Sequence, residues 1–123
     1  MLGHLSFGVA DLARAIRFYD AALAPLGYVR VWDSPDQVGY GLPGGNDKLA
    51  LKLQPGPVVP PGPGFHLALQ APSHAAVDRF HAEALRNGGS DAGAPGPRPH
   101  YGATYYAAFV HDPDGHKLEA VFQ

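Results

Sequence analysis

The chain contains no cysteine among its 123 residues. Disulfides, thiolate metal ligands and a cysteine nucleophile are therefore excluded. Charge is scarce too: Asp, Glu, Lys and Arg make up 16%, and the formal net charge is -2. No run of Lys or Arg occurs, so nothing marks a nucleic-acid or anionic-membrane surface. No apolar run approaches the ~20 residues of a membrane-spanning helix. Asp11, Arg14 and Arg17 stand where a secretory leader would need an apolar core. The expected location is cytoplasmic. Hydrophobic residues are plentiful, at 46%, enough for one core at this length. The 16 Gly and 13 Pro are clustered, which marks the boundaries of elements rather than disorder.

Between those boundaries the pattern is written twice. Residues 2–10 alternate as a strand, with Leu5, Phe7 and Val9 on one face and His4, Ser6 and Gly8 on the other. Asp11 suits a helix N-cap. Ala15, Phe18, Tyr19, Ala22 and Leu23 follow as one apolar stripe, and Pro25 and Gly27 close the helix. Strands are predicted over 28–33, 37–42 and 48–53. Residues 54–64 hold five prolines and read as an extended linker.

After the linker a shift of 62 places His66 on His4, Ser73 on Asp11, Phe80 on Phe18, Leu85 on Leu23 and Gly89 on Gly27. The second helix has Val77, Phe80, His81, Ala84 and Leu85 as its stripe. Residues 90–99 are rich in Gly and Pro and are expected to be irregular. Residues 104–110 read as a strand, Asp112-Pro113-Asp114-Gly115 as a tight turn, and Leu118 to Phe122 as the last strand. The expectation is an α+β chain of two βαβββ modules, residues 1–53 and 65–123, forming a curved mixed sheet around one cavity.

Candidate chemistry follows from the alternation. His4, His66 and Glu119 all fall on strand faces opposite the apolar ones. A carboxylate on a half-buried strand is costly without a partner. Two imidazoles and a carboxylate suit a divalent ion: Fe, Mn, Zn, Ni or Co. Lys52 could bind an anion. Arg98, His100, Tyr101, Tyr105 and Tyr106 lie in the Gly/Pro-rich segment leading into the penultimate strand, where loops often carry specificity. Phe7, Trp32 and Phe109 read as packing residues. His74, His81, His111 and His116 read as surface or helix residues.

The two His-Leu strands, the Asp11 cap with Arg17-Phe18-Tyr19, and Asp112-Pro113-Asp114-Gly115 before Leu118-Glu119 together resemble the vicinal oxygen chelate superfamily. That group includes glyoxalase I, extradiol dioxygenases, fosfomycin-resistance thiol transferases and bleomycin-resistance binding proteins. The resemblance covers essentially the whole chain. It implies paired βαβββ modules, a U-shaped cavity, metal ligands at His4, His66 and Glu119, and a homodimer acting on a small molecule. It also implies a lyase or isomerase, a thiol transferase or a dioxygenase; the alternative is a metal-free sequestering protein. Ala50 and Lys52 stand where glyoxalases place a further carboxylate, so no fourth protein ligand is expected.

Overall fold

The computed structural model describes all residues, Met1–Gln123. The first module runs β1 (Leu5–Val9), α1 (Leu12–Leu23), a 3-10 turn (Ala24–Leu26), β2 (Val29–Asp33), β3 (Gln37–Gly41) and β4 (Leu49–Leu53). The second runs β5 (Leu67–Gln70), α2 (His74–Arg86), β6 (Ser90–Pro97), β7 (Tyr106–His111) and β8 (Lys117–Phe122). The sheets are ordered β1-β4-β3-β2 and β5-β8-β7-β6, the same topology twice. In each, the first strand pairs parallel with the last and the other pairings are antiparallel. No helix is long and apolar enough to cross a membrane.

Both helices begin where side-chain chemistry starts them. The Asp11 carboxylate accepts from the Arg14 N–H at 3.0 Å, and the Ser73 hydroxyl accepts from the Ala76 N–H at 3.1 Å. Each satisfies a donor that the helix cannot. The apolar stripe of α1 is buried as expected. In α2 the buried set is Ala76, Val77, Phe80 and Ala84; Leu85 is exposed, so the stripe lies about one residue earlier than the sequence pattern implied.

The helices pack on each other, and one buried cluster draws on both modules: Phe7, Val9, Phe18, Tyr40 and Leu51 with Val77, Phe80, Val110 and Leu118. In register, Phe7 and Val38 both pair with Leu51, and Val110 pairs with Leu118. The apolar face of each sheet thus lies against the helices. The opposite faces look away from this shared core, and a single chain presents them open. No cavity of the chain is lined by His66 or Glu119; the largest, about 410 Å³, lies between Leu26, Tyr28 and Leu42 and the Pro72 and Phe122 region.

Two expectations need correction. The Gly/Pro-rich residues 90–97 form a strand, not irregular chain. As β6 is the outermost strand, its prolines are tolerated where a central strand would lose ladder bonds. Register shifts between Asp91 and Gly93 and between Gly93 and Gly96 absorb the misfit to β7.

The second correction concerns His116, which is buried. Its ring stacks on Phe7 at 4.4 Å, and Nε2 donates to the Gly8 carbonyl at 2.8 Å. It belongs to a polar joint between the modules. Asp114 Oδ1 accepts from the Ala10 N–H at 3.1 Å and from Arg14 at 3.0 Å. Asp112 accepts from the Tyr19 hydroxyl at 2.6 Å and from the His116 N–H at 2.8 Å. Burial raises the Asp112 carboxyl above its ordinary range, against the lowering effect of these donors. Burial and the neighbouring Asp112 charge raise the Tyr19 phenol well above its own.

Candidate metal centre

Ala68 of β5 sits in register with Glu119 of β8, and Glu119 with Phe109 of β7. His66, two residues before Ala68, projects on the same face. Its Nε2 lies 2.8 Å from Glu119 Oε1. On the other side the Tyr105 hydroxyl donates to Glu119 Oε2 at 2.5 Å. The His66 ring meets the Phe109 ring edge-on at 5.5 Å. Glu119 is only 1% exposed although it lies on the open face. Burial first, then the bond to Glu119, pushes the Tyr105 phenol up to about 12. At neutral pH Tyr105 therefore stays a donor, which leaves Oε1 as the oxygen facing His66.

The first module repeats half of this arrangement. His4 immediately precedes β1 as His66 precedes β5. The counterpart of the Ala68–Glu119 pair is Ser6–Ala50. Ala50 carries no donor, so this module offers an imidazole alone. His4 is exposed, and no three His, Cys, Asp or Glu side chains of one chain gather into a metal-holding group. One chain brings His66 and Glu119 together; it does not bring His4 to them.

The other candidate residues divide the same way. Lys52 is exposed on the open face of the first sheet, in register with Gly8. His100, Tyr101 and Tyr105 form an aromatic file, with ring centroids 4.1 and 5.2 Å apart, that ends at Glu119. Arg98 lies over Phe109, 5.7 Å from the ring centroid. Tyr106 is on the helix side, bonded to Asp78 and stacked on His74. Lys117, absent from the candidates that the sequence pattern offers, has its Nζ 5.3 Å from the Phe109 centroid. Its place two residues before Glu119 was the available signal, since alternation puts both on one face.

The family model of the glyoxalase/bleomycin resistance protein/dioxygenase superfamily matches residues 1–120. The chain belongs to this superfamily. Among solved structures, a glyoxalase/bleomycin resistance protein from Albidiferax ferrireducens is 32% identical, with a TM-score of 0.85 over 100% of this chain and 98% of that one. A glyoxalase-related enzyme from Fulvimarina pelagi is 22% identical, with a TM-score of 0.77 over 100% and 88%. A fosfomycin resistance protein from Mesorhizobium loti is 21% identical, with a TM-score of 0.72 over 100% and 92%. The last two establish likeness of fold. No curated protein matches the chain. The superfamily includes enzymes and small-molecule binders, and both expected modules are present in this member.

Proposed function

We propose that this superfamily member is a divalent-metal-dependent enzyme for a small oxygen-bearing substrate. Its ligands are His66 and Glu119 of one chain and His4 of a second copy in a homodimer. Residues 1–123 act as one domain, with residues 54–64 linking the modules. The observation that carries this reading is the state of Glu119: a carboxylate 1% exposed, on an open face, with the Tyr105 hydroxyl on Oε2, an imidazole nitrogen 2.8 Å from Oε1 and no Lys or Arg paired to it. A buried carboxylate needs compensation.

The donor chemistry fits a divalent ion. His66 Nε2 and Glu119 Oε1, 2.8 Å apart, are the donor atoms of this chain that would hold it. Imidazole and carboxylate together suit Fe, Mn, Zn, Ni or Co. When bound, such an ion supplies Lewis-acid polarisation of a substrate oxygen or stabilises an oxyanion. Tyr105 orients the carboxylate as an outer hydrogen-bond partner. The open face and the His100–Tyr101–Tyr105 file give the substrate its approach.

Elemental analysis and melting temperature test this. Wild-type protein takes up Mn, Fe, Ni, Zn or Co and gains stability, by about 2.7 kcal/mol at a hundredfold excess over Kd. His66→Ala abolishes uptake and keeps the fold. Absence of uptake and of any thermal shift would refute the metal and leave a sequestering protein.

A further inference from the structure

The open face of the second sheet holds more than the ligand pair, and the inference drawn from it rests on the reading just given. Phe109 lies beside Glu119 in register, and two cations approach its ring, Arg98 at 5.7 Å and Lys117 at 5.3 Å from the centroid. Neither Arg98 nor Lys117 is paired with a carboxylate; the ion pairs of the chain engage Arg14, Arg30, Arg86, His66 and His81. Arg98 is held by backbone instead. Nη1 donates to the Gly96 carbonyl at 2.9 Å and Nη2 to the Ala94 carbonyl at 2.8 Å. Glycines make room for it: a Cβ at Gly93 would stand 3.3 Å from Arg98 Nη2 and 3.2 Å from Phe109 Cδ1.

Those carbonyls fix the guanidinium without neutralising it. A guanidinium has five N–H donors, so others stay free for an incoming acceptor. A positioned Arg fork and a flexible ammonium are the usual pair for an oxyanion, and the bonds they make are charge-assisted. The chain carries a net charge of -2, so this local excess of positive charge runs against the whole. Beside the cations, the Phe109 ring offers an apolar surface for a short carbon skeleton.

We propose that Arg98 and Lys117 form an oxyanion subsite over Phe109, so that the substrate is a small organic anion. Its carboxylate or phosphonate pairs with these cations beside the ring while its reacting end reaches His66 and Glu119. Calorimetric titration with and without Mn(II) tests this. Pyruvate and methylphosphonate serve as anionic probes, and methyl pyruvate and dimethyl methylphosphonate as their neutral counterparts. At least one anion binds, its neutral counterpart binds at least about tenfold more weakly, and added salt weakens the anion. The tighter anion identifies the group that the subsite takes.

Lys117→Gln and Arg98→Gln each weaken the anion by about tenfold or more, the scale of one charged hydrogen bond. Arg98→Lys weakens it less. Arg98 also ties down β6, so if its Gln variant unfolds, Lys117→Gln decides alone; the Lys117 side chain makes no hydrogen bond in the fold. Lys117→Gln retains metal uptake. Equal binding of the neutral probe, binding of neither anion, or unchanged affinity in Lys117→Gln overturns the subsite. Anion binding to wild-type protein that takes up no metal would instead overturn the ligand set and leave the subsite standing.

Discussion

Replacing Tyr19 by Phe probes the joint between the modules at both ends of the pH scale. Tyr19 is 0% exposed and its hydroxyl donates to Asp112 at 2.6 Å. Near pH 8 the substitution removes one donor from a buried carboxylate, which costs about 1–3 kcal/mol. The Tyr19 pKa is raised well above 10.0 by burial first and the Asp112 charge second. A raised folded pKa means that stability is whole below the unfolded pKa and is lost as pH climbs above it. One pH unit above an unfolded value near 10, the unfolded phenol gains about 1.4 kcal/mol that the native one cannot. Wild type loses that amount and Tyr19→Phe does not.

The gap between the two proteins should therefore shrink by about 1.4 kcal/mol between roughly pH 8 and pH 11. Other titrations common to both proteins cancel in the difference. Urea unfolding read by the fluorescence of Trp32, the single tryptophan, measures it. At the acid end Asp112, also raised by burial, gives the opposite reading from an ordinary carboxylate. Its stabilisation is present below the unfolded pKa and is lost as pH rises through the folded one. Loss of the Tyr19 donor moves that folded value further up, so the cost of the substitution grows from acid to neutral pH. A gap constant from pH 4 to pH 11 would refute the buried Tyr19–Asp112 bond.

Two further outcomes follow from the repeat. If each site draws on both chains, mixing His4→Ala with His66→Ala protein restores metal binding to about one quarter of all sites, since half of the dimers are mixed and each has one intact site; zero recovery after subunit exchange would place all ligands in one chain. Gly27 and Gly89 are aligned in sequence but stand in different surroundings: Gly27 has φ +90 and open space, whereas a Cβ at Gly89 would meet the Ala84 and His111 carbonyl oxygens at 2.9 Å. Gly27→Ala should cost about 1–2 kcal/mol from backbone strain, and Gly89→Ala clearly more; equal melting temperatures would contradict this.

The repeat was legible because caps, stripes and stops are local. Asp11, Ser73 and the α1 stripe needed no tertiary knowledge. β6 was not legible, because its Gly and Pro residues argue against a strand and only pairing with β7 makes one. The role of Asp112-Pro113-Asp114-Gly115 was half legible. Turn chemistry predicts the bend, but the bonds to Tyr19, Ala10 and Arg14 cross roughly the whole chain. The neighbourhood of Glu119 could be anticipated from alternation and the parallel register with β5. The position of His4 could not, since it depends on how modules face each other, and no periodicity encodes that.

Irregularity is unevenly shared among the four outer strands of the two sheets. β2 is offset between Arg30 and Trp32, and β6 twice, between Asp91 and Gly96. β1 and β5 keep unbroken register with their neighbours. Bulges and prolines make an edge a poor template for a foreign strand. Two of the four borders are therefore poor templates for uncontrolled stacking. The two that stay regular are the ones that begin beside His4 and His66, so the margins best suited to strand addition are the imidazole-bearing ones.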